Sequence, residues 1–236
     1  MKKLLSISLA TLAFAAVADY QPITVGVTTI TPTTQNAIIP VPYTTIGSSA
    51  DVSVHDLVKA ANLPDDTMLY YFDGTNYKAW KKNSSGAWTT PDAVATIGSA
   101  AVTAGTDEIN VSVGAALWVA FPDGTTLNEQ SIVVYGSPAA ATNSTIVANK
   151  INLLANPTAT TVSGSVLAGK LSPDVKDTII PIGSVGTYVY SGNANGWIYT
   201  APGASPVRNA DLPSLAQYQG FWYISKTSGA NKTIAW

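Results

Sequence analysis

Met68-Leu69-Tyr70-Tyr71-Phe72-Asp73-Gly74-Thr75-Asn76-Tyr77-Lys78-Ala79-Trp80-Lys81 decides the fold of this chain. One aromatic and aliphatic run enters Asp73-Gly74 and a second leaves it, the pattern of a β-hairpin around a turn that tolerates positive φ. Asn83-Ser84-Ser85-Gly86 makes the next turn, before Ala87-Trp88-Thr89. Later, Thr187-Tyr188-Val189-Tyr190, a turn from Gly192 to Gly196 and Trp197-Ile198-Tyr199 repeat the theme.

The recurrence extends outward. Asp66-Thr67 aligns with Asp177-Thr178, Trp88 with Trp197, and Leu117-Trp118 with Phe221-Trp222, at separations of 111, 109 and 104 residues. Separations that drift slowly are what two copies with altered loops produce. Asp123-Gly124 falls near Ser228-Gly229, whereas Asp65, Asp73 and Asp123 have no acidic counterpart in the second copy. Four of the 6 tryptophans occupy paired positions, which marks them as framework.

A helix is expected where Ser53 caps a turn, Asp56 completes a capping box, and Val54, Leu57, Val58 and Ala61 form an apolar stripe. Its counterpart, Ser163 to Leu171, carries Gly164 and Gly169 and is expected to be shorter or frayed. The expected fold is all-β: two tandem related β-sandwich or barrel-like modules, each with one short helix. The divisions read as a signal peptide over 1–18, an N-terminal strand segment over 19–36, a first module over 37–136, a linker over 137–144 and a second module over 145–236.

Residues 1–18 have the form of an export signal: Lys2-Lys3, an apolar stretch from Leu4 to Ala15, and Ala16-Val17-Ala18 before a mature start at Asp19. The apolar run falls short of the ~20 residues that span a bilayer, and no later segment is apolar and long enough to anchor the chain. Cleavage leaves ten basic against fourteen acidic residues, a net charge of −4, which gives no reason to expect nucleic acid as a partner. Charged residues are 11% of the chain, under half the ~25% usual in soluble domains. A surface of small uncharged polar groups lacks the repulsion that keeps copies apart. With no cysteine, there are no disulfides, thiol nucleophiles or thiolate metal sites, so burial must supply the stability.

Little points to catalysis. His55 is the only histidine and reads as a surface residue opposite the apolar stripe; no nucleophile-elbow serine accompanies Asp51 and Asp56. Asp65-Asp66 and Asp107-Glu108 are the paired carboxylates, but neighbouring side chains of a strand point apart and neither pair sits in a calcium-loop motif. Nothing pairs two acids across a cleft for glycoside hydrolysis, and Gly183-Ser184-Val185-Gly186 lacks the lysine and helix of a phosphate loop. No cofactor or metal is expected. Among the aromatics, the unpaired Tyr71 and Trp80 are the candidates for exposed faces on which a glycan stacks.

Ile151-Asn152-Leu153-Leu154-Ala155-Asn156-Pro157, followed by Tyr218-Gln219-Gly220-Phe221-Trp222-Tyr223, resembles a repeat of secreted or surface bacterial proteins. That repeat opens on N-L-(I/V)-x-N-P and closes on a G-x-G-F-(W/F) strand. The resemblance covers most of residues 150–224 and extends loosely to Pro40-Val41-Pro42-Tyr43 and Gly114 to Trp118; Gln219 departs from its pattern. It implies a secreted or surface-displayed β-repeat and brings no catalytic residues.

The functional expectation is therefore an exported, non-enzymatic component of an extracellular or cell-surface assembly, with the periplasm as the other location. Ile23, Val25 and Val27 alternate in a strand that either completes a neighbour's sheet or pairs within its own module. The alternatives are a carbohydrate-binding, adhesin-like module and a small outer-membrane barrel, the latter suggested by the terminal Trp236.

Overall fold

The computed structural model describes residues 25–236 except 92–95, 98–99, 106–108, 139–141, 159, 183, 193 and 227–228. The signal segment, Ile23, Asp107-Glu108 and the middle of the expected linker lie outside the described residues.

The chain is mostly β, as its alternating aromatic and β-branched runs require. The N-terminal half runs β1 (Gly26–Ile30), β2 (Asn36–Pro40), β3 (Tyr43–Thr44), β4 (Val52–Ser53), α1 (Val54–Leu57), β5 (Met68–Phe72), β6 (Tyr77–Lys82), β7 (Trp88–Thr89), β8 (Thr96–Ile97), β9 (Ala100–Ala104), β10 (Asn110–Val111), β11 (Ala116–Ala120) and β12 (Ile132–Pro138). The C-terminal half runs β13 (Asn143–Ile146), β14 (Ile151–Ala155), α2 (Gly164–Leu171), β15 (Thr178–Pro181), β16 (Thr187–Tyr190), β17 (Trp197–Thr200), β18 (Gly220–Ile224) and β19 (Lys232–Ala235). Ser137-Pro138 and Asn143-Ser144, at the ends of the expected linker, belong to the flanking strands.

Every described strand pairs within its own half. In the first, the main sheet runs β2–β11–β5–β6, with β7 and β9 both on β6 and β8 on β9. In the second it runs β14–β18–β15–β16–β17. The two cores of these sheets have the same strand order, and each is preceded and followed by the strands of a smaller sheet, β1–β12–β3 in one half and β13–β19 in the other. The N-terminal strand thus pairs inside its own half, Val27 opposite Tyr135 and Ile30 opposite Ile132.

The registers match residue by residue. Trp118 lies between Ile38 and Tyr70, and Trp222 between Leu153 and Ile180. Trp88 lies opposite Lys82 and Trp197 opposite Tyr190. Met68 faces Ala120 as Thr178 faces Ile224, so Thr67 corresponds to Asp177, one residue from the sequence alignment. Asp66 (φ 65°) and Lys176 (φ 76°) then share the same left-handed backbone turn.

Three apolar layers result. The first half's inner core holds Ile39, Leu57, Leu69, Trp80, Trp88, Leu117 and Val134. The second half's holds Leu154, Leu167, Ile179, Trp197, Phe221 and Tyr223. Between the halves the outer faces of the two main sheets pack together through Ile38, Tyr77, Ala79, Ala116, Leu153 and Ala155. The first main sheet around β2, β11, β5 and β6, and the second around β14 and β18, are therefore covered on both faces.

Ser53 caps α1 as expected: its hydroxyl accepts from the Asp56 amide at 3.1 Å and donates to Asp56 Oδ2 at 2.8 Å. The helix closes after a single turn because Val58 leaves it to bridge Val134. Contrary to expectation, the glycine-bearing α2 is the longer helix, at 8 residues. Gly164 is demanded by packing, since a Cβ there would stand 1.7 Å from the Leu212 carbonyl oxygen, while Gly169 faces open space.

Candidate functional site

Of the two aromatic residues expected to offer glycan-stacking faces, Trp80 does not. It is 1% exposed, in the inner core of the first half. Along β6, Tyr77 and Ala79 face the layer between the halves and Trp80 faces inward; with both faces of the sheet covered, neither set of alternating side chains is free. Gly105 backs the indole so closely that a Cβ there would lie 2.1 Å from the ring.

Tyr71, from β5, is half-buried. It lines a cleft of about 320 Å³ between the halves, shared with Phe72, Asp73 and Gly74 of the hairpin turn and with Asn143, Thr145 and Asn231 from the second half. Burial, then the charges of Asp73 and Asp51, push the Tyr71 phenol up from its ordinary value, so it stays a neutral donor. Asp73 holds the turn: its Oδ1 accepts the Thr75 and Asn76 amides at 2.9 and 2.8 Å, and Lys78 lies 3.5 Å from Oδ2. Burial acts against its charge, but the Asn76 and Thr75 amides and Lys78 outweigh it and hold the carboxyl below the usual range.

A second cleft, of about 210 Å³, occupies the corresponding place across the interface. Ile38 and Gly220 line it where Leu153 and Ala116 line the first, and Ile182 stands where Phe72 does. Residues at equivalent register positions thus line the two clefts.

The motif that carries the resemblance is structural. Buried Asn152 accepts the Val147 amide at 2.7 Å and donates to the Val147 and Lys150 carbonyls, both at 3.1 Å. Buried Asn156 donates to the carbonyls of Thr160 (2.7 Å) and Ala216 (3.1 Å) and accepts the Thr158 amide at 3.0 Å. Each pins an irregular segment whose backbone groups lack ladder partners.

Asp65, Asp66 and Asp177 serve the framework. Asp65 pairs with buried Lys82, and Asp66 with Lys81 at 2.7 Å. Sequence reasoning did not single out Asp177 chemically, yet it is fully buried and accepts from the Tyr223 hydroxyl (2.6 Å) and the amides of Lys226 (2.7 Å) and Asp174 (2.9 Å). Burial, then the bond to Asp177, raises the Tyr223 phenol well above its ordinary value. The register equivalent of Asp177 is Thr67, so only the position, not the chemistry, recurs. His55 sits half-buried on α1. Among the described residues no three His, Cys, Asp or Glu side chains gather as a metal site, and no helix is long and apolar enough to cross a membrane.

Val25 and Val27, the described members of the expected assembly strand, are 47% and 63% exposed. Val27 belongs to β1 and Val25 immediately precedes it; among the described residues this strand is an edge, hydrogen-bonded to β12 on one side only.

No family model, curated protein or solved structure matches the chain.

Proposed function

We propose that this chain is an exported, non-enzymatic β-repeat protein, two copies of one module, that self-associates as a structural component of an extracellular or cell-surface assembly. The observation that carries the reading is the free edge of β1. Its sequence Gly-Val-Thr-Thr-Ile holds no charge and no proline, the devices by which soluble proteins blunt such edges. Exposed Val27 and Thr29 project from it, and a strand added there gains main-chain hydrogen bonds and apolar contact together. The low charge of the whole chain favours the same outcome.

Deleting residues 19–34 would also take Ile30 from the first core and Thr28 from the Tyr43 hydroxyl, 2.6 Å away. The cleaner test is Val27→Lys with Thr29→Lys, followed by sedimentation velocity and electron microscopy of the mature chain. The wild type is expected to form oligomers or filaments and the doubly charged variant to remain a folded monomer. A wild type that stays monomeric at high concentration overturns the assembly reading; a variant that assembles as before overturns the role of the edge.

A further inference from the structure

We infer that the cleft beside Tyr71 is a binding site for a neutral saccharide. This goes beyond the assembly reading and does not depend on it. The polar groups of the cleft divide into committed and uncommitted sets. Asp73 is held by two amides and Lys78, Ser112 donates to Asp51 Oδ2 at 2.7 Å, and Asn152 is spent on the backbone around it. Asn231 accepts the Ala148 amide with Oδ1 at 3.0 Å, and no bond of its Nδ2 is found among the described residues. The Tyr71 hydroxyl and the side chains of Asn143 and Thr145 have no hydrogen-bond partner among the described residues. These groups are uncharged, they come from both halves, and they converge on one cavity.

Their chemistry selects the ligand class. Among the described residues no lysine, arginine or histidine lines the cleft, so a phosphate, sulfate or carboxylate would meet no countercharge there. The lining carboxylate, Asp73, already has Lys78 and two backbone amides as partners, so a cation gains little. Hydroxyl and amide groups beside the apolar walls of Phe72, Ala116 and Leu153 suit a molecule with hydroxyls on its rim and C–H groups on its faces. The volume stands at the lower end of the ~300–1,000 Å³ of small-molecule sites, room for a mono- or disaccharide unit. The second cleft supplies the contrast: Ile30, Pro32, Ile38 and Ile182 make much of its wall aliphatic.

The test uses the mature chain and four neutral disaccharides, maltose, cellobiose, lactose and chitobiose, each titrated to ~10 mM with amide chemical shifts as the readout, a range that reaches the weak millimolar regime. At least one is expected to bind saturably. Tyr71→Phe, which keeps the ring and removes one hydroxyl, is expected to weaken binding about tenfold, the order of one hydrogen bond. Asn143→Ala with Thr145→Val, both exposed positions, is expected to abolish it, while Thr33→Val in the other cleft leaves it unchanged. No saturable shift with any of the four, or binding that survives both variants of the Tyr71 cleft, overturns the inference. Because the readout is local binding, its failure leaves the β1 edge untouched, and loss of assembly leaves this site standing.

Discussion

Trp118 and Trp222 occupy the same register position in β11 and β18, each second from the edge of its sheet, and their rings meet edge to face across the interface, centroids 5.1 Å apart at 74°. Tyr70 stacks on the other side of Trp118 at 4.5 Å, and Tyr77 lies 6.3 Å from Trp222. Residues at equivalent register positions in the two halves thus touch each other directly. The repeated tryptophans therefore serve two purposes: Trp88 and Trp197 fill the separate cores, and Trp118 and Trp222 join them.

Trp222→Ala removes the ring that bridges the halves. The expected loss is about 3 kcal/mol, the scale of truncating a packed aromatic. Differential scanning calorimetry should show a lower first transition and a split into two, as each half keeps its own core. A single transition shifted by less than a degree or two would show that the interface contributes little.

Gly220 faces Ile38 so closely that a Cβ would stand 2.3 Å from Ile38 Cγ2. Gly220→Ala is expected to destabilise by about 1–3 kcal/mol through overpacking, and to cost less in an Ile38→Ala background, where the Cγ2 it strikes is gone. Urea melts of both single variants and the double variant complete the cycle. Strict additivity would mean that the two sheets relax apart freely at this point.

How far the sequence discloses this arrangement depends on which contacts leave a periodic trace. The hairpin at Asp73-Gly74, the capping box at Ser53-Asp56 and the paired tryptophans are local or repeated, so they are legible. Trp80 is not: its register counterpart is Tyr188, outside the tryptophan pairing, and alternation suggests a free face only if one side of the sheet is bare. The packing of sheet on sheet, which buries both sides, has no signature in either half alone. The same holds for the Tyr71 cleft, which exists only where Asn143, Thr145 and Asn231 are brought across from the second half. Asp177 was visible as a repeat position, but its burial follows from tertiary contacts with Tyr223 and Lys226.

Asn156→Ala is expected to cost about 2–3 kcal/mol, because carbonyls of Thr160 and Ala216 and the Thr158 amide lose their partner in a buried loop. Asn156→Asp keeps the acceptor for Thr158 and loses the donors, so it separates the two contributions. Chemical denaturation of both variants provides the measurement. Near-neutral effects would mean that water replaces the side chain and that the asparagine is not what holds the loop.

Alkaline stability reads the phenols. Burial raises Tyr70, Tyr71, Tyr77, Tyr188 and Tyr223 from the ordinary value of 10.0. A group whose folded value is raised contributes stability that is complete below its unfolded value and is lost as pH rises toward the folded one. Unfolding free energy should therefore be flat through neutrality and fall above about pH 10, where the unfolded chain ionises and the folded one does not. Tyr77 also donates to the Ile151 carbonyl across the interface at 2.8 Å. Tyr77→Phe is then expected to lose about 1 kcal/mol at neutral pH and to make the alkaline limb shallower, since one raised phenol is gone. Urea midpoints of wild type and variant between pH 7 and 11 decide it: two curves that stay parallel above pH 10 would show that Tyr77 does not titrate with folding.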